Sequence, residues 1–270
     1  MITQDMINSR VIIEAVEFVA KNHGIKVDYF CDKWVVKLTK GNQSHHIYTY
    51  TFDANSHATA KISSDKVASY QLLTHQNLPA VPHFLLTSEL NHQVDTQEVN
   101  NLLNDYRELV IKPTHGQGAS SVHKCSTLEE ITSVIDENKS VSWCASPHIS
   151  IESELRCVVY EGKLQFVYRK QASEAGENEL KIFNSHFGAT LEDVPTTTLP
   201  KEMADLAIQA AHAIGLRLGA VDIAVDARGS FQVLEFNSAF TLEYYAQTNS
   251  ENRERAKDLY VKVILDQFAN

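Results

Sequence analysis

Apolar and polar positions alternate with a period of two at Val221, Ile223 and Val225, which are separated by Asp222 and Ala224. That spacing predicts a β-strand. Arg228-Gly229 reads as a tight turn, glycine supplying the positive φ it needs. With those two residues as the loop, Ala227 pairs with Ser230 and the ladder sets Asp222 opposite Glu235. Phe231, Val233, Glu235 and Asn237 then share one face of the return strand. A second hairpin runs from Glu154 to Lys170 and turns at Glu161-Gly162. Its expected apolar face is Leu155, Cys157, Val159, Leu164, Phe166 and Tyr168, with Glu154 opposite Arg169.

Helical spacing of Ile7, Val11, Ala15, Phe18 and Val19 predicts a helix over residues 5–22. Strands are expected around Trp34–Leu38 and His46–Phe52, with Gly41-Asn42 between them. Ser63 or Ser64 caps a helix to Gln76, and an extended segment follows through Leu86. A helix is expected over Thr96–Tyr106. The short apolar strand Leu109-Val110-Ile111 delivers Lys112-Pro113. Thr127 and Glu130 form a capping box for a helix to Glu137, and Val141–Ala145 reads as another strand. Helices are expected over 201–216 and 251–268. Gln171–Pro200 shows no regular pattern, and a loop that long in a compact domain is functional or mobile.

Two carboxylates opposite each other in a sheet repel. Asp222 and Glu235 are flanked by Val221, Ile223, Leu234 and Phe236, so the pair is either a solvated edge or the holder of a cation. Asn237 adds a third oxygen, and that donor set suits magnesium carrying phosphate. The chain has 270 residues and a formal net charge of −10, which argues against nucleic acid as the main partner. No run of 18 apolar residues exists, so no membrane span is expected. No signal peptide is read at the N-terminus. Cys31, Cys125, Cys144 and Cys157 form no CxxC and read as small buried residues of a reducing cytoplasm. His45 and His46 point to opposite faces of a strand and do not share an ion.

His115-Gly116-Gln117-Gly118-Ala119-Ser120-Ser121 follows the strand that ends in Lys112. Its glycines and serines let backbone N–H groups approach phosphate oxygens, although it is not a GxxxxGK[ST] loop. The ordered set SDKVASYQLLTHQNLPAVP, VIKPTHGQGASSV, ELRCVVYEGKLQFVYRK, NSHFGA and VDIAVDARGSFQVLEFNS resembles the ATP-grasp superfamily. Within it, the chain is most similar to the ribosomal-protein glutamate ligase (RimK-like) carboxylate–amine ligases.

The resemblance implies an α+β ATP-grasp fold in which two α+β subdomains grip the nucleotide. Residues 1–61 would form a small truncated α/β region, 62–149 the small subdomain with the lid loop, and 150–270 the C-terminal subdomain. It assigns Lys66, Lys112, Gly116, Gly118, Ser120 and Ser121 to the nucleotide phosphates, Pro147, His148 and Ile149 to the adenine hinge, and Glu154 to the ribose. Asp222, Glu235 and Asn237 become ligands of magnesium, two ions by resemblance, with manganese as a substitute. Arg156, Arg169, Lys170 and Asn184 fall near the transferred phosphate, Asn184 within a stretch similar to N-x-H-x-G-G/A. The implied activity is ATP-dependent joining of a carboxylate on an amino acid, peptide or similar small acid to an amine or thiol, through an acyl phosphate. A nucleotide-binding module without turnover and a kinase that stops at phosphoryl transfer are the rival readings; homo-oligomerisation is left open. Two features depart from the family. The hinge, Ser146-Pro147-His148-Ile149, lacks the acidic side chain that many relatives offer the adenine amino group. The region before Lys66 is short, which leaves acceptor binding to 171–200, to the N-terminal region or to a partner.

Overall fold

In the computed structural model the described residues are 9–88, 90–116, 121–172, 183 and 189–269. They fall into two compact units, one built from residues up to Ser56 together with those from Ser238 onward, the other from His57–Asn237.

The first unit holds helix α1 (Val11–His23), strands β1 (Lys26–Phe30), β2 (Val35–Lys40) and β3 (Gln43–Tyr48), and helices α7 (Glu243–Thr248) and α8 (Ser250–Gln267). The strands form an antiparallel sheet in the order β1-β2-β3. The buried stripe of α1 is Val11, Ile12, Ala15, Val16 and Val19; Phe18 falls outside it and is exposed. The start expected at residue 5 lies outside the described residues. The first turn of α1 leaves backbone N–H groups without intrahelical partners. Glu243 fills this role from the far end of the chain, accepting from Val11 N at 2.9 Å. Phe52 stacks on Tyr260, and Arg253 pairs with Glu14.

The second unit contains two antiparallel sheets, each with its own core. The four-stranded sheet has the order β4 (Phe84–Leu85), β7 (Trp143–Pro147), β5 (Leu109–Pro113), β6 (His123–Cys125). Helices α4 (Thr96–Tyr106) and α5 (Leu128–Glu137) cover one face through Val99, Leu102, Ile131 and Ile135. The capping box on α5 forms between Thr127 and Glu130 as its sequence predicts. The five-stranded sheet has the order β10 (Thr190–Val194), β9 (Lys163–Gln171), β8 (Ser153–Tyr160), β11 (Leu218–Val225), β12 (Phe231–Asn237). Helix α6 (Lys201–Ala213) packs on it through Met203, Leu206, Ala207 and Ala210.

The helix expected from Ser63 or Ser64 to Gln76 is α3 (Lys66–His75), and a helix not expected, α2 (His57–Ser64), precedes it. The cap is Asp65, not a serine: its carboxylate accepts from Val67 N and Ala68 N, each at 3.0 Å. Strand β10 lies inside the stretch read as loop; only its edge pairing with β9 reveals it.

Candidate functional site

Asp222 does lie directly opposite Glu235, but the ladder reaches that pairing by an unexpected route. The turn is one residue longer than two: Asp226, rather than Ala227, pairs with Ser230, its N–H donating to Ser230 O at 3.0 Å. The Asp226 carboxylate accepts from Arg228 N and Ser230 N, and Gly229 takes φ 80°. A bulge at Leu234 then shifts the register back. It also divides the face expected for the return strand. Val233 and Phe231 turn with Ile223 and Val225 toward the α6 core, while Glu235 and Asn237 turn with Asp222 to the opposite side.

The second hairpin carries a bulge at Gln165, so Glu154 lies opposite Lys170, not Arg169. Arg169 falls opposite Leu155 and reaches Glu192 of β10 at 2.9 Å, in an exposed pair. Phe166 and Tyr168 leave the expected apolar face for the same reason, lying opposite Val158 and Arg156. Strand β8 also pairs with β11, which sets Arg156 beside Asp222.

One face of the sheet thus carries a buried group of alternating charge. Arg156 grips Asp222 with Nε to Oδ1 at 2.7 Å and Nη2 to Oδ2 at 2.5 Å. Lys170 Nζ donates to Asp222 Oδ2 at 3.0 Å and also to Glu154 Oε1. Asn237 Nδ2 donates to the same Asp222 oxygen at 3.2 Å. Asp222 is 0 % exposed, and Glu154 and Lys170 are each 6 % exposed. Burial pushes both carboxyls up; Arg156 and Lys170 overcome it at Asp222, which falls to about 2. At Glu154 burial wins over Lys170, and the carboxyl rises to about 7. Asp222 is the committed anion of the group and Glu154 the one poised to take a proton.

The four-stranded sheet presents Lys112 to this face. Lys112, at the end of β5, is half-buried, and burial lowers its pKa while Glu235 and Glu154 draw it back up. Lys66 begins α3 behind the Asp65 cap; its Nζ reaches Gly116 O at 3.2 Å and Pro113 O at 3.4 Å. Its backbone N–H donates to Thr114 O at 3.1 Å. Cap and strand end together hold Lys66 at the root of the 115–121 loop. Ser121 is at φ 59°; Gly118 and Ser120 lie outside the described residues, as do Lys181, Asn184 and His186. In the hinge, Pro147 ends β7 opposite Leu109, and Ile149 is half-buried. His148 N donates to Glu108 O at 3.0 Å, and its Nδ1 lies 3.0 Å from Glu108 Oε2. Cys144 and Cys157 are buried, which lifts their thiols to about 11 and about 12, so neither is a thiolate at neutral pH. Cys31, expected buried, is exposed.

His83 was passed over in the sequence, where a lone histidine between Pro82 and Phe84 carries no pattern. It is buried beside Lys112 and Lys66, and burial together with those cations drives its pKa well down.

The donors at Asp222, Glu235 and Asn237 fit magnesium of one kind. Among the described residues no group of three or more His, Cys, Asp and Glu side chains gathers for a metal. Two carboxylates and an amide suit an ion that takes its other ligands from phosphate and water. Asp222 has one lone-pair position left, on Oδ1, because Oδ2 already accepts from Arg156, Lys170 and Asn237. The Glu235 side chain makes no hydrogen bond or ion pair with another described residue, and is therefore the readier ligand.

Several known proteins resemble this chain. A "Probable alpha-L-glutamate ligase" of Shewanella pealeana is 32% identical over 185 residues, which is 67% of this chain and 38% of that protein. One of the same description from Alkalilimnicola ehrlichii is 30% identical over 197 residues, 72% of this chain and 61% of that protein. The chain thus spans less than two-thirds of the length of both relatives. Among solved structures, the ATP-grasp ligase PsnB complexed with minimal precursor, Mg and ADP aligns with a TM-score of 0.56 and 18% identity, over 79% of this chain and 62% of that one. At that identity the likeness speaks for the α+β ATP-grasp fold alone. The model of the RimK-like ATP-grasp domain matches residues 63–257, from α2 through both hairpins and into α8, and the chain belongs to that family.

Proposed function

We propose that this protein is an ATP- and magnesium-dependent ligase that joins the carboxylate of an amino acid, peptide or similar small acid to an amine or thiol through an acyl phosphate. The observation that carries the reading is the buried group of Glu154, Lys170, Asp222 and Arg156, with Glu235 beside it and Lys112 facing it. Burying ions is costly, and well-packed apolar residues would stabilise a sheet at least as well. A site that handles polyphosphate needs these charges. The names of the relatives and the ligands of PsnB support the same reading.

In the first step a substrate carboxylate oxygen attacks the γ-phosphorus of ATP. The bond from that phosphorus to the β–γ bridging oxygen breaks, leaving ADP and an acyl phosphate. In the second step the acceptor nitrogen attacks the acyl carbon, inorganic phosphate leaves with the bonding pair, and the nitrogen gives up a proton. Lys66, Lys112, Arg156 and Lys170 neutralise charge that spreads over the phosphoryl oxygens. Arg156 and Lys170 are already fixed by Asp222 and Glu154, so little reorganisation is needed in the transition state. Magnesium held by Asp222, Glu235 and Asn237 would supply charge neutralisation between the phosphates.

The test is ADP release from the protein with ATP and magnesium, with and without a pool of amino acids and short peptides, followed by hydroxylamine. Acceptor-dependent ADP and a trapped hydroxamate are expected. ADP formed without hydroxamate would point to a kinase, and absence of nucleotide binding would end the reading.

A further inference from the structure

His83 is 3 % exposed, and its Nε2 is buried with no hydrogen-bond partner. A buried polar atom without a partner costs free energy and calls for an explanation. Its Nδ1 lies 2.9 Å from Val81 O. A carbonyl only accepts, so Nδ1 carries the proton and Nε2 presents a lone pair. Burial first, and then the cations Lys112 and Lys66, oppose a second proton on the ring. The imidazole is thus held as an acceptor, and what it lacks is a donor.

Its position shows where the donor comes from. Leu85 of β4 lies opposite Cys144 of β7, and Cys144 lies opposite Lys112 of β5. Directly paired residues share a face, and residues two apart along a strand share it too. His83 directly precedes β4, two residues before Leu85, and lies within electrostatic reach of Lys112, which puts it toward the face that carries Cys144 and Lys112. His83 immediately precedes Phe84, and Phe84 pairs with Ala145, the neighbour of Ser146, the first residue of the hinge. That hinge lacks the acidic side chain that would take the amino group of adenine.

We propose that His83 Nε2 supplies this missing acceptor and selects a 6-aminopurine nucleotide over a 6-oxopurine one; the proposal rests on the nucleotide-binding reading above. Adenine offers an N–H donor at its 6-position, where guanine offers a carbonyl oxygen. A carbonyl facing the Nε2 lone pair is repelled, and Lys112 and Lys66 keep the ring from escaping that repulsion by protonating.

The test uses non-hydrolysable imido analogues of ATP and GTP, with magnesium, in calorimetric titrations. His83→Asn keeps a donor for Val81 O at the position of Nδ1 and removes the acceptor. Wild type should bind the ATP analogue more tightly than the GTP analogue, and His83→Asn should reduce that preference about tenfold, the scale of one hydrogen bond. Purine riboside triphosphate, which lacks the 6-amino group, should bind wild type and His83→Asn alike. His83→Gln places an amide near Nε2 that can turn either its oxygen or its nitrogen to the base, so it should bind both analogues with little preference; it serves if the Asn variant fails to fold. An unchanged ATP-to-GTP preference in a folded variant overturns the role of His83 and leaves nucleotide binding intact. Wild type that binds neither analogue overturns both.

Discussion

Lys170→Met removes the one cation shared by two buried carboxylates. With Lys170 present, Arg156 and Lys170 balance Asp222 and Glu154; without it the group carries a net negative charge in a site where Asp222 is 0 % and Glu154 6 % exposed. Removing one member of such a buried pair costs about 3–5 kcal/mol. The cheapest relief is a proton on Glu154, whose carboxyl already rises from 4.5 to about 7 through burial, against the pull of Lys170. The folded chain holds this proton more tightly than the unfolded one. Stability that comes from protonated Glu154 is therefore full below the unfolded value of 4.5 and is lost as pH rises through about 7. Lys170→Met raises that carboxyl further. Urea unfolding should show a loss of about 3–5 kcal/mol at pH 8, shrinking toward about 1–2 kcal/mol at pH 5, the scale of the hydrogen bonds alone. Lys170→Met/Glu154→Gln should recover most of the pH 8 loss, because the uncompensated charge is gone. An equal loss at both pH values, or a double variant as unstable as the single one, would refute the reasoning.

Asp222→Asn and Glu235→Gln should each abolish magnesium-dependent ADP formation. Glu235→Gln should leave the unfolding free energy from urea titration within about 0.5 kcal/mol of wild type, since its side chain breaks no described bond; full turnover at low magnesium would remove the metal assignment. Lys112→Ala should weaken an ATP analogue by about 1–3 kcal/mol in calorimetric titration, as expected of a lost charge-assisted bond. Asp65→Ala should cost about 1 kcal/mol of stability through the lost cap and weaken the analogue as well, because the cap fixes the start of α3 from which Lys66 extends; loss of stability with unchanged affinity would detach Lys66 from the nucleotide.

Much of this was legible in the chain because it rests on local rules. Thr96–Tyr106, the capping box at Thr127 and the turn at Glu161-Gly162 follow from spacing and turn chemistry, and the order of the motifs identified the fold. What stayed hidden needed a second strand or a distant segment. The bulges at Gln165 and Leu234 show only in the pairing of one strand with the next, and no alternation within one strand announces them. Glu154 was therefore set against Arg169, although Asp222 was correctly set against Glu235. Strand β10 is polar and exists through its pairing with β9. The cap that Glu243 gives to Val11 joins residues 232 positions apart. His83 has no periodicity to betray it, since its meaning lies in Val81 O and in two lysines from other elements.

The two bulges have a further consequence for how this sheet can change. Each sits between the tip of its hairpin and the charged end, and each resets the count of residues by one. Tip and charged end are thus governed separately. A loop grafted at Glu161-Gly162 or at Arg228-Gly229 alters the ribbon on one side of Gln165 or Leu234 only. On the other side Glu154 still meets Lys170 and Asp222 still meets Glu235. Peptides inserted at these tips should be tolerated as tags or recognition loops, and deleting Gln165 or Leu234 alone should make each ladder regular while Glu154 stays opposite Lys170 and Asp222 opposite Glu235.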